Sequence, residues 1–373
     1  MAPPPPPPPP ALTVDAVAEI LLRLPPDEPA HLVRAALVCR TWRRVVSDAG
    51  FLRLYRARHR GRRLLGYFHN LSYDAGPVPR FVPAPGAAPF PPPALAGPEW
   101  WALDCRHGRV LIHSHSPSLM RLVVWDPITG EQQLLARPDH PFSYSSAAVL
   151  CAAQGCDHLA CDCRGGAFRV VFVGTADTDV VNGCTTWASV YSSEIGAWSA
   201  PASIDTGAGY VDWKPSLLLG DELYFTIGVG SSILKYDLGK HLLSEIETPG
   251  VFGAIIVDAE DGRLGFVCEL DDRIYLLARQ DGAIGIAGPG WAELRVIELA
   301  TLLPRRNPSS SYDLIGFAEG TDTVFISVDV GVFTLELKSG KVRRVGDSGP
   351  HYGIQPYMSC YTAGLARVRL SPR

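Results

Sequence analysis

The sequence predicts a small α-helical domain followed by an all-β domain, a β-propeller of about six blades. Three observations lead to this fold class: apolar residues at helical spacing are confined to residues 12–60, alternating strands begin at Leu64, and strand units then recur about every fifty residues. Apolar residues make up 47% of the 373-residue chain and charged residues 19%. Such a composition can fill a core, which excludes a wholly disordered chain.

Charge is distributed unevenly between the two predicted domains. Residues 11–63 hold 11 Arg, no Lys and 5 acidic residues, a net charge of +6. The whole chain carries −4, so the remainder carries −10. This asymmetry predicts two modules with different partners. The negative total argues against nucleic acid or an anionic membrane as a whole-chain partner, and no apolar run is long enough to predict a transmembrane helix.

The cysteines and the N-terminus bear on the compartment. Nine cysteines, an odd number, occur in a chain that starts without a basic segment or an apolar signal core. This combination predicts reduced thiols and a cytoplasmic or nuclear protein.

Prolines precede the first domain and interrupt the start of the second. Residues 3–10 are all proline, which predicts a disordered polyproline tail over residues 1–10; docking to an SH3-like groove is its alternative use. Nine prolines between residues 77 and 98 predict a proline-rich surface loop spanning residues 72–98.

Four helices are predicted in the first domain, residues 11–60. Thr13 can cap the first helix, and Pro25 and Pro26 end it. The second helix follows Asp27, the third covers residues 41–47, and the fourth ends near Gly61. Their apolar stripes comprise Val14, Val17, Ile20, Leu21 and Leu24; Leu32, Val33, Ala36 and Leu37; Trp42, Val45 and Val46; and Phe51, Leu52 and Tyr55.

Two kinds of strand unit repeat from Leu64 to the C-terminus. In the first, a glycine turn precedes an apolar strand, and the glycines at 108, 166, 220, 262 and 320 are 42 to 58 residues apart. In the second, a tight turn joins two strands, as in residues 123–130 and 190–198. A period near fifty residues is typical of a β-propeller, because one four-stranded sheet must stack on neighbours to bury both faces. A β-sandwich does not explain the repeat.

Five units are clear, and two stretches at the ends of the second domain are left over. Residues 64–82 and 357–368 therefore predict a sixth, closing blade built from both ends of residues 64–373, with five to eight blades left open. Such closure would leave no open sheet edge.

The helical region resembles an F-box. The motifs that carry the resemblance are Glu19-Ile20-Leu21, Arg23-Leu24-Pro25, Leu32-Val33-Arg34-Ala35 and Val38-Cys39-Arg40-Thr41-Trp42-Arg43. Two positions depart from the family pattern: Leu12 is followed by Thr13 where the family usually has proline, and the connection over residues 25–29 is longer and stiffer than usual.

The rest of the chain is similar to the propeller-type associated domain of plant F-box proteins, particularly those of grasses. The segments Trp125-Asp126-Pro127-Ile128-Thr129-Gly130 and Val190-Tyr191-Ser192-Ser193 carry this similarity, the latter with Gly196 and Trp198. The two resemblances together cover nearly everything after Pro10.

The resemblance implies a substrate-recognition subunit of a cullin-based, SCF-type ubiquitin ligase. The F-box would bind a Skp-type adaptor and through it a cullin, and the propeller would bind an unknown target protein. The chain itself would be non-catalytic, with no cofactor and no metal. Seven residues match the hydrophobic positions of the family and are predicted to bind the adaptor: Leu12, Ile20, Leu24, Leu32, Val38, Cys39 and Trp42.

Some of these seven residues must also form the core of the module, because about fifty residues make a marginal domain. Trp42 is the expected hot spot, since aromatic anchors carry much of the free energy of an interface.

Two other functions stay open. A propeller enzyme of the glycosidase or lyase class would need a carboxylate cluster near the central channel, and neither such a cluster nor a catalytic motif stands out in the sequence. A protein that binds the adaptor as a scaffold, outside any ligase, would share the F-box features.

Three groups of residues are of types that bind metal ions or nucleic acid, but their arrangement in the sequence does not favour such a site. Cys151, Cys156, Cys161 and Cys163, with His158, lack the paired spacing of zinc knuckles, which predicts no metal. His113 and His115 share one strand face without a third ligand. The arginines between residues 53 and 63 are predicted to lie in solvent or to pair with acidic partners rather than to bind nucleic acid.

Overall fold

A computed structural model describes residues 12–24, 30–58, 63–71, 79–84, 100–114, 120–127, 130–153, 163, 166–179, 183–248, 250–251, 253–259, 262–285, 288–349 and 351–359. In these residues, helices precede a series of short strands. The structure confirms the predicted fold class, a helical domain followed by a six-bladed β-propeller. None of the helices in these segments is long and apolar enough to cross a membrane.

The N-terminal helices form a small module with its own core. They are α1 (Val14–Leu22), α2 (Ala30–Val38), α3 (Arg40–Ser47) and α4 (Ala49–Arg58). Thr13 caps α1 as predicted, because its Oγ1 accepts a hydrogen bond from the amide of Ala16 at 3.3 Å. Asp48 caps α4 in the same way, accepting from the amide of Phe51 at 2.8 Å. Asp27, which precedes the predicted second helix, and the predicted tail at residues 1–10 lie outside the described residues.

The first three blades contain strands of very different lengths. Blade 1 consists of β1 (Arg63–Leu71), β2 (Arg80–Pro83) and β24 (His351–Ser359). Blade 2 consists of β3 (Trp100–Arg106), β4 (Arg109–Ser114), β5 (Leu122–Trp125) and β6 (Gln132–Leu135). Blade 3 consists of β7 (Tyr144–Cys151), β8 (Phe168–Asp179), β9 (Gly183–Ser192), β10 (Ala197–Trp198) and β11 (Ala202–Asp205).

The last three blades are four-stranded antiparallel meanders. Blade 4 consists of β12 (Leu217–Leu219), β13 (Glu222–Ile227), β14 (Ser232–Asp237) and β15 (Leu242–Glu247). Blade 5 consists of β16 (Ile255–Asp258), β17 (Leu264–Leu270), β18 (Arg273–Gly285) and β19 (Gly288–Glu298). Blade 6 consists of β20 (Asp313–Ala318), β21 (Thr323–Val328), β22 (Gly331–Glu336) and β23 (Val342–Gly346).

Both ends of the domain build blade 1, as the leftover stretches predict, but β2 lies inside residues 72–98, which the prolines predict to be a loop. Strand β24 pairs with β1, and it also contacts β20 of blade 6 and β3 of blade 2, so it is the inner strand of its blade. The C-terminal strand begins at His351, earlier than the predicted start at Tyr357, and residues 360–373 lie outside the described residues. Gly66 is required in β1, because a Cβ there would lie 2.3 Å from the carbonyl oxygen of Val82.

The core lies between neighbouring blades rather than in one central layer. The largest cluster joins blades 4, 5 and 6, and within it Trp291 packs on Phe266 with ring centroids 5.7 Å apart. Each inner strand runs from the face that we call the top of the propeller to the opposite face, the bottom. The turns that leave the inner strands therefore lie on the bottom face.

Candidate functional site

The helical module buries one apolar side of each helix. Its core consists of Val17, Leu21, Leu32, Ala35, Val45, Val46, Phe51 and Tyr55. The hydroxyl of Tyr55 donates to the carbonyl of Leu24 at 3.0 Å, which ties α4 to the end of the first helical segment. Burial raises the pKa of Tyr55 to about 12, so the hydroxyl stays protonated as a donor. This core, with six half-buried apolar side chains packed against it, holds the module together without the remaining, exposed ones.

Those remaining apolar side chains lie on the surface of the module. Leu37 is 70% exposed and Val38 is 63% exposed, because α2 turns its other side, with Leu32 and Ala35, to the core. Leu12, Val14 and Ile20 are also exposed. Burial of these side chains against a partner would remove apolar surface from water.

The seven predicted adaptor-binding residues fall into three groups. Leu12, Ile20, Val38 and Cys39 are exposed, and the last two adjoin at the α2–α3 junction. Leu24 and Trp42 are half-buried and pack against the core of the module. Leu32 is 2% exposed and lies inside that core. The exposed group is accessible to solvent, whereas Leu32 stabilises the helix that carries Val38.

A buried ionic network crosses the bottom end of the propeller channel. Arg106, at the end of β3 and 4% exposed, contacts Asp104 at 2.5 Å and Glu319 of blade 6 at 2.6 Å. It also donates to Oγ of Ser216, which precedes blade 4, at 3.0 Å. Asp104 in turn accepts from the amide of Val149 in blade 3 at 2.7 Å. Burial alone would lower the pKa of Arg106, but the two carboxylates outweigh it and raise that pKa, so the guanidinium stays charged.

A second buried cation lies in the segment before blade 4. The ammonium group of Lys214, 7% exposed, donates to the carbonyls of Gly253 at 2.7 Å and Ala254 at 2.8 Å. Burial lowers the pKa of Lys214 to about 8, against the opposing effect of Asp212 and Asp313. The neighbouring Trp213 is 39% exposed and meets buried Trp101 of blade 2 edge to face, with centroids 5.1 Å apart.

Two carboxylates at the bottom end of the channel, Asp104 and Glu319, are already engaged. Asp104 and Glu319 both bind Arg106, which fits an ionic tie between blades better than an acid–base pair. Local sequence patterns do not reveal this network, because its members come from distant segments and only the fold brings them together.

The metal candidates are only partly within the described residues. There, no three His, Cys, Asp or Glu side chains are close enough together to hold a metal ion. Cys151 is half-buried and Cys163 is buried. Cys156, His158, Cys161 and His115 lie outside the described residues, and so do the side chains of Arg53 and Arg56.

Arg58 pairs with an acidic residue of the module itself. Its guanidinium lies 3.8 Å from Oε1 of Glu19, and both side chains are about half exposed.

Several solved structures are similar to the chain at low sequence identity. A periplasmic gluconolactonase of Pseudomonas aeruginosa, PpgL, is 13% identical with a TM-score of 0.40, over 65% of this chain and 69% of that one. A Lactobacillus plantarum protein is 11% identical with a TM-score of 0.46, over 78% and 98%. The β-propeller domain of Myceliophteria thermophila Cps50 (Swd1) is 11% identical with a TM-score of 0.37, over 65% and 70%. Likenesses this low do not bear on function.

Comparison with known families places both domains. No curated protein matches the chain. Residues 10–54 match the F-box domain. Residues 101–363, most of the chain, match the β-propeller described as "F-box protein AT5G49610-like, beta-propeller". The chain therefore belongs to the AT5G49610-like family of F-box proteins with a β-propeller.

Proposed function

We propose that this protein is the substrate-recognition subunit of a cullin-based, SCF-type ubiquitin ligase. In this proposal the helical module binds a Skp-type adaptor, which links the chain to a cullin, and the propeller holds a target protein. The protein itself performs no chemistry, and it acts in the cytoplasm or the nucleus. The family supports a plant protein, and membership of the grass subgroup belongs to the proposal.

One observation carries the proposal: the segment that matches the F-box also exposes apolar side chains that its own core does not use. Val38 and Leu37 end α2 and face solvent, while Leu32 of the same helix is buried. Apolar anchors on short helices suit an apolar groove in a partner. Their desolvation would supply the free energy of binding.

Affinity purification of the full chain, with protein degradation blocked, tests the proposal. We expect mass spectrometry to find a Skp-type adaptor and a cullin with the chain, together with ubiquitylated target proteins. Recovery of adaptor without cullin would support the scaffold function instead. Recovery of neither would refute both.

The engagement of Asp104 and Glu319 disfavours these two residues as the acid and base of a propeller enzyme. Asp104 and Glu319 are held by Arg106, so neither is placed to exchange a proton with a substrate without first breaking a buried ion pair.

A further inference from the structure

A cleft opens on the bottom face between blades 5 and 6. It has a volume of about 410 Å³, within the usual range for ligand sites, and its lining residues include Asp258, Leu276, Arg295, Asp322, Leu337 and Lys338. These residues come from the end of β16, from β18 and β19, and from the turns of blade 6. The cleft is therefore formed by elements of two rigid sheets.

The lining of the cleft includes two leucine side chains and two glycine turns. Leu276 and Leu337 are 5% and 4% exposed, and their side chains supply buried apolar surface. Gly262 and Gly320 line the turns with φ of +71° and +77°, and a Cβ at either position would meet open space. An aliphatic chain can thus enter between the two turns and lie against the leucines.

Asp258 gives the cleft its chemical preference. Its Oδ1 is fully buried and has no hydrogen-bond partner in the described part of the chain. Burial raises the pKa of Asp258, as does Glu319, whereas Lys338 lowers it. Because Oδ1 is buried, a cation in the cleft would meet the other oxygen of this carboxylate, and its charge would offset the cost of burying the anion. Asp322 adds a second carboxylate to the lining.

Two cationic side chains line the cleft: Arg295 is hydrogen-bonded to backbone carbonyls, and Lys338 lies in solvent. Arg295 of blade 5 donates through Nη1 to the carbonyls of Leu337 at 3.0 Å and Lys338 at 2.7 Å, which ties the two blades together. Lys338 is exposed, so its charge is screened by solvent. Neither cation makes a hydrogen bond to Asp258 in the described residues.

We propose that this cleft binds a lysine or arginine side chain of the target protein. The aliphatic stem would pack on Leu276 and Leu337, and the cationic head would bind the carboxylate of Asp258. This inference rests on the proposed function, because it assumes that the propeller holds a protein target, and it adds the chemistry by which that target is recognised.

Saturation-transfer NMR on the full chain tests the inference. The probes are capped pentapeptides with a central lysine, arginine or norleucine between glycines. We expect the basic peptides to bind at least tenfold more tightly than the norleucine peptide. Added salt should weaken the binding of the basic peptides. Asp258→Asn, which keeps the shape of the side chain, should weaken the basic peptides at least tenfold, whereas Glu194→Gln in a bottom-face turn of blade 3 should change nothing.

Three results would overturn the inference: equal binding of the norleucine peptide, no binding of either basic peptide at millimolar concentration, or unchanged binding by Asp258→Asn. The comparison of peptides on the wild-type chain needs no variant, so it stands if Asp258→Asn fails to fold. Adaptor co-purification from the same preparations separates the two hypotheses. Retained adaptor with no peptide binding refutes only the cleft, and peptide binding without adaptor refutes only the ligase function.

Discussion

Phe68 of β1 and Tyr357 of β24 pack edge to face with ring centroids 5.8 Å apart, so the two ends of the propeller sequence meet in one blade. Both side chains are almost fully buried, and the hydroxyl of Tyr357 donates to the carbonyl of Gly108 in blade 2 at 3.1 Å. The pair therefore links β1 to β24 within blade 1, and Tyr357 also links blade 1 to blade 2.

Tyr357→Ala should destabilise the propeller by about 3–5 kcal/mol, because it removes a buried ring and leaves a cavity at the closing blade. Tyr357→Phe keeps the ring and loses one hydrogen bond, so about 1 kcal/mol is expected. Denaturant unfolding followed by tryptophan fluorescence measures both. Truncation after Gln355 should cause unfolding or aggregation, whereas deletion of residues 1–10 should leave the transition unchanged. An unchanged transition for Tyr357→Ala would show that β24 does not close the ring.

Arg106→Met should destabilise the propeller by about 3–5 kcal/mol, because Asp104 and Glu319 would each lose a buried counter-charge. Arg106→Lys keeps the charge but cannot reach both carboxylates and Ser216 as a planar fork, so an intermediate loss is expected. Ser216→Ala, which removes one neutral partner, should cost about 1 kcal/mol. If Arg106→Met has the same denaturant midpoint of unfolding as the wild type, the network does not tie blades 2, 4 and 6 together.

Acidification should loosen the closing blade through His69 of β1. Burial, then His351 and Arg80, lower the pKa of His69 from 6.5 to about 4. Between these values the unfolded chain binds a proton that the folded chain excludes, so the free energy of unfolding falls as the pH drops from 6.5 to 4. The pKa shift of His69 corresponds to a loss of about 3 kcal/mol at most in the free energy of unfolding. This loss of stability is absent above pH 6.5, where His69 is neutral in the folded and the unfolded chain.

His69→Gln should flatten this part of the pH profile of stability, measured by denaturant unfolding at several pH values. Burial also lowers the pKa of His351, whose ring lies 5.2 Å from that of His69, so a smaller acid-dependent loss should remain in the variant. A wild-type profile in His69→Gln would mean that the histidine is already accessible to water.

Local signals in the sequence were sufficient for the architecture. The turn at His107 and Gly108 has positive φ at both residues, 53° and 73°, as a two-residue hairpin requires. The glycine at position 108 alone predicts this turn. The helix cap at Thr13 was equally readable, because its geometry depends only on residues within one turn.

Contacts between distant segments could not be predicted from such signals. Nothing near Arg106 in the sequence indicates that Ser216 and Glu319 lie beside it, since the ring topology alone brings blades 2, 4 and 6 to the channel. For the same reason, the cleft at Asp258 appears only in the structure. The burial of Leu32 beside the exposure of Val38 likewise depends on how α2 packs, which a family motif does not specify.

The exposed side chain of Val38 offers the sharpest test of adaptor binding. Trp42 is half-buried and packs on the core of the module, so Trp42→Ala would mix lost folding with lost contact. Val38 is 63% exposed, and Leu54 of α4, at 58%, is a matched apolar residue outside the predicted set. Aspartate at either position should therefore leave the fold intact, which circular dichroism checks.

The central claim is tested most directly by the affinity of a Skp-type adaptor for the full chain, measured by titration calorimetry on the wild type, Val38→Asp and Leu54→Asp. We predict that wild type and Leu54→Asp bind the adaptor alike. Val38→Asp should bind at least tenfold more weakly, a loss of about 1.4 kcal/mol or more, because a charge would be desolvated in an apolar groove. Wild-type affinity in a folded Val38→Asp would contradict the assignment of the contact surface. No binding of adaptor by the wild-type chain would contradict the ligase function itself.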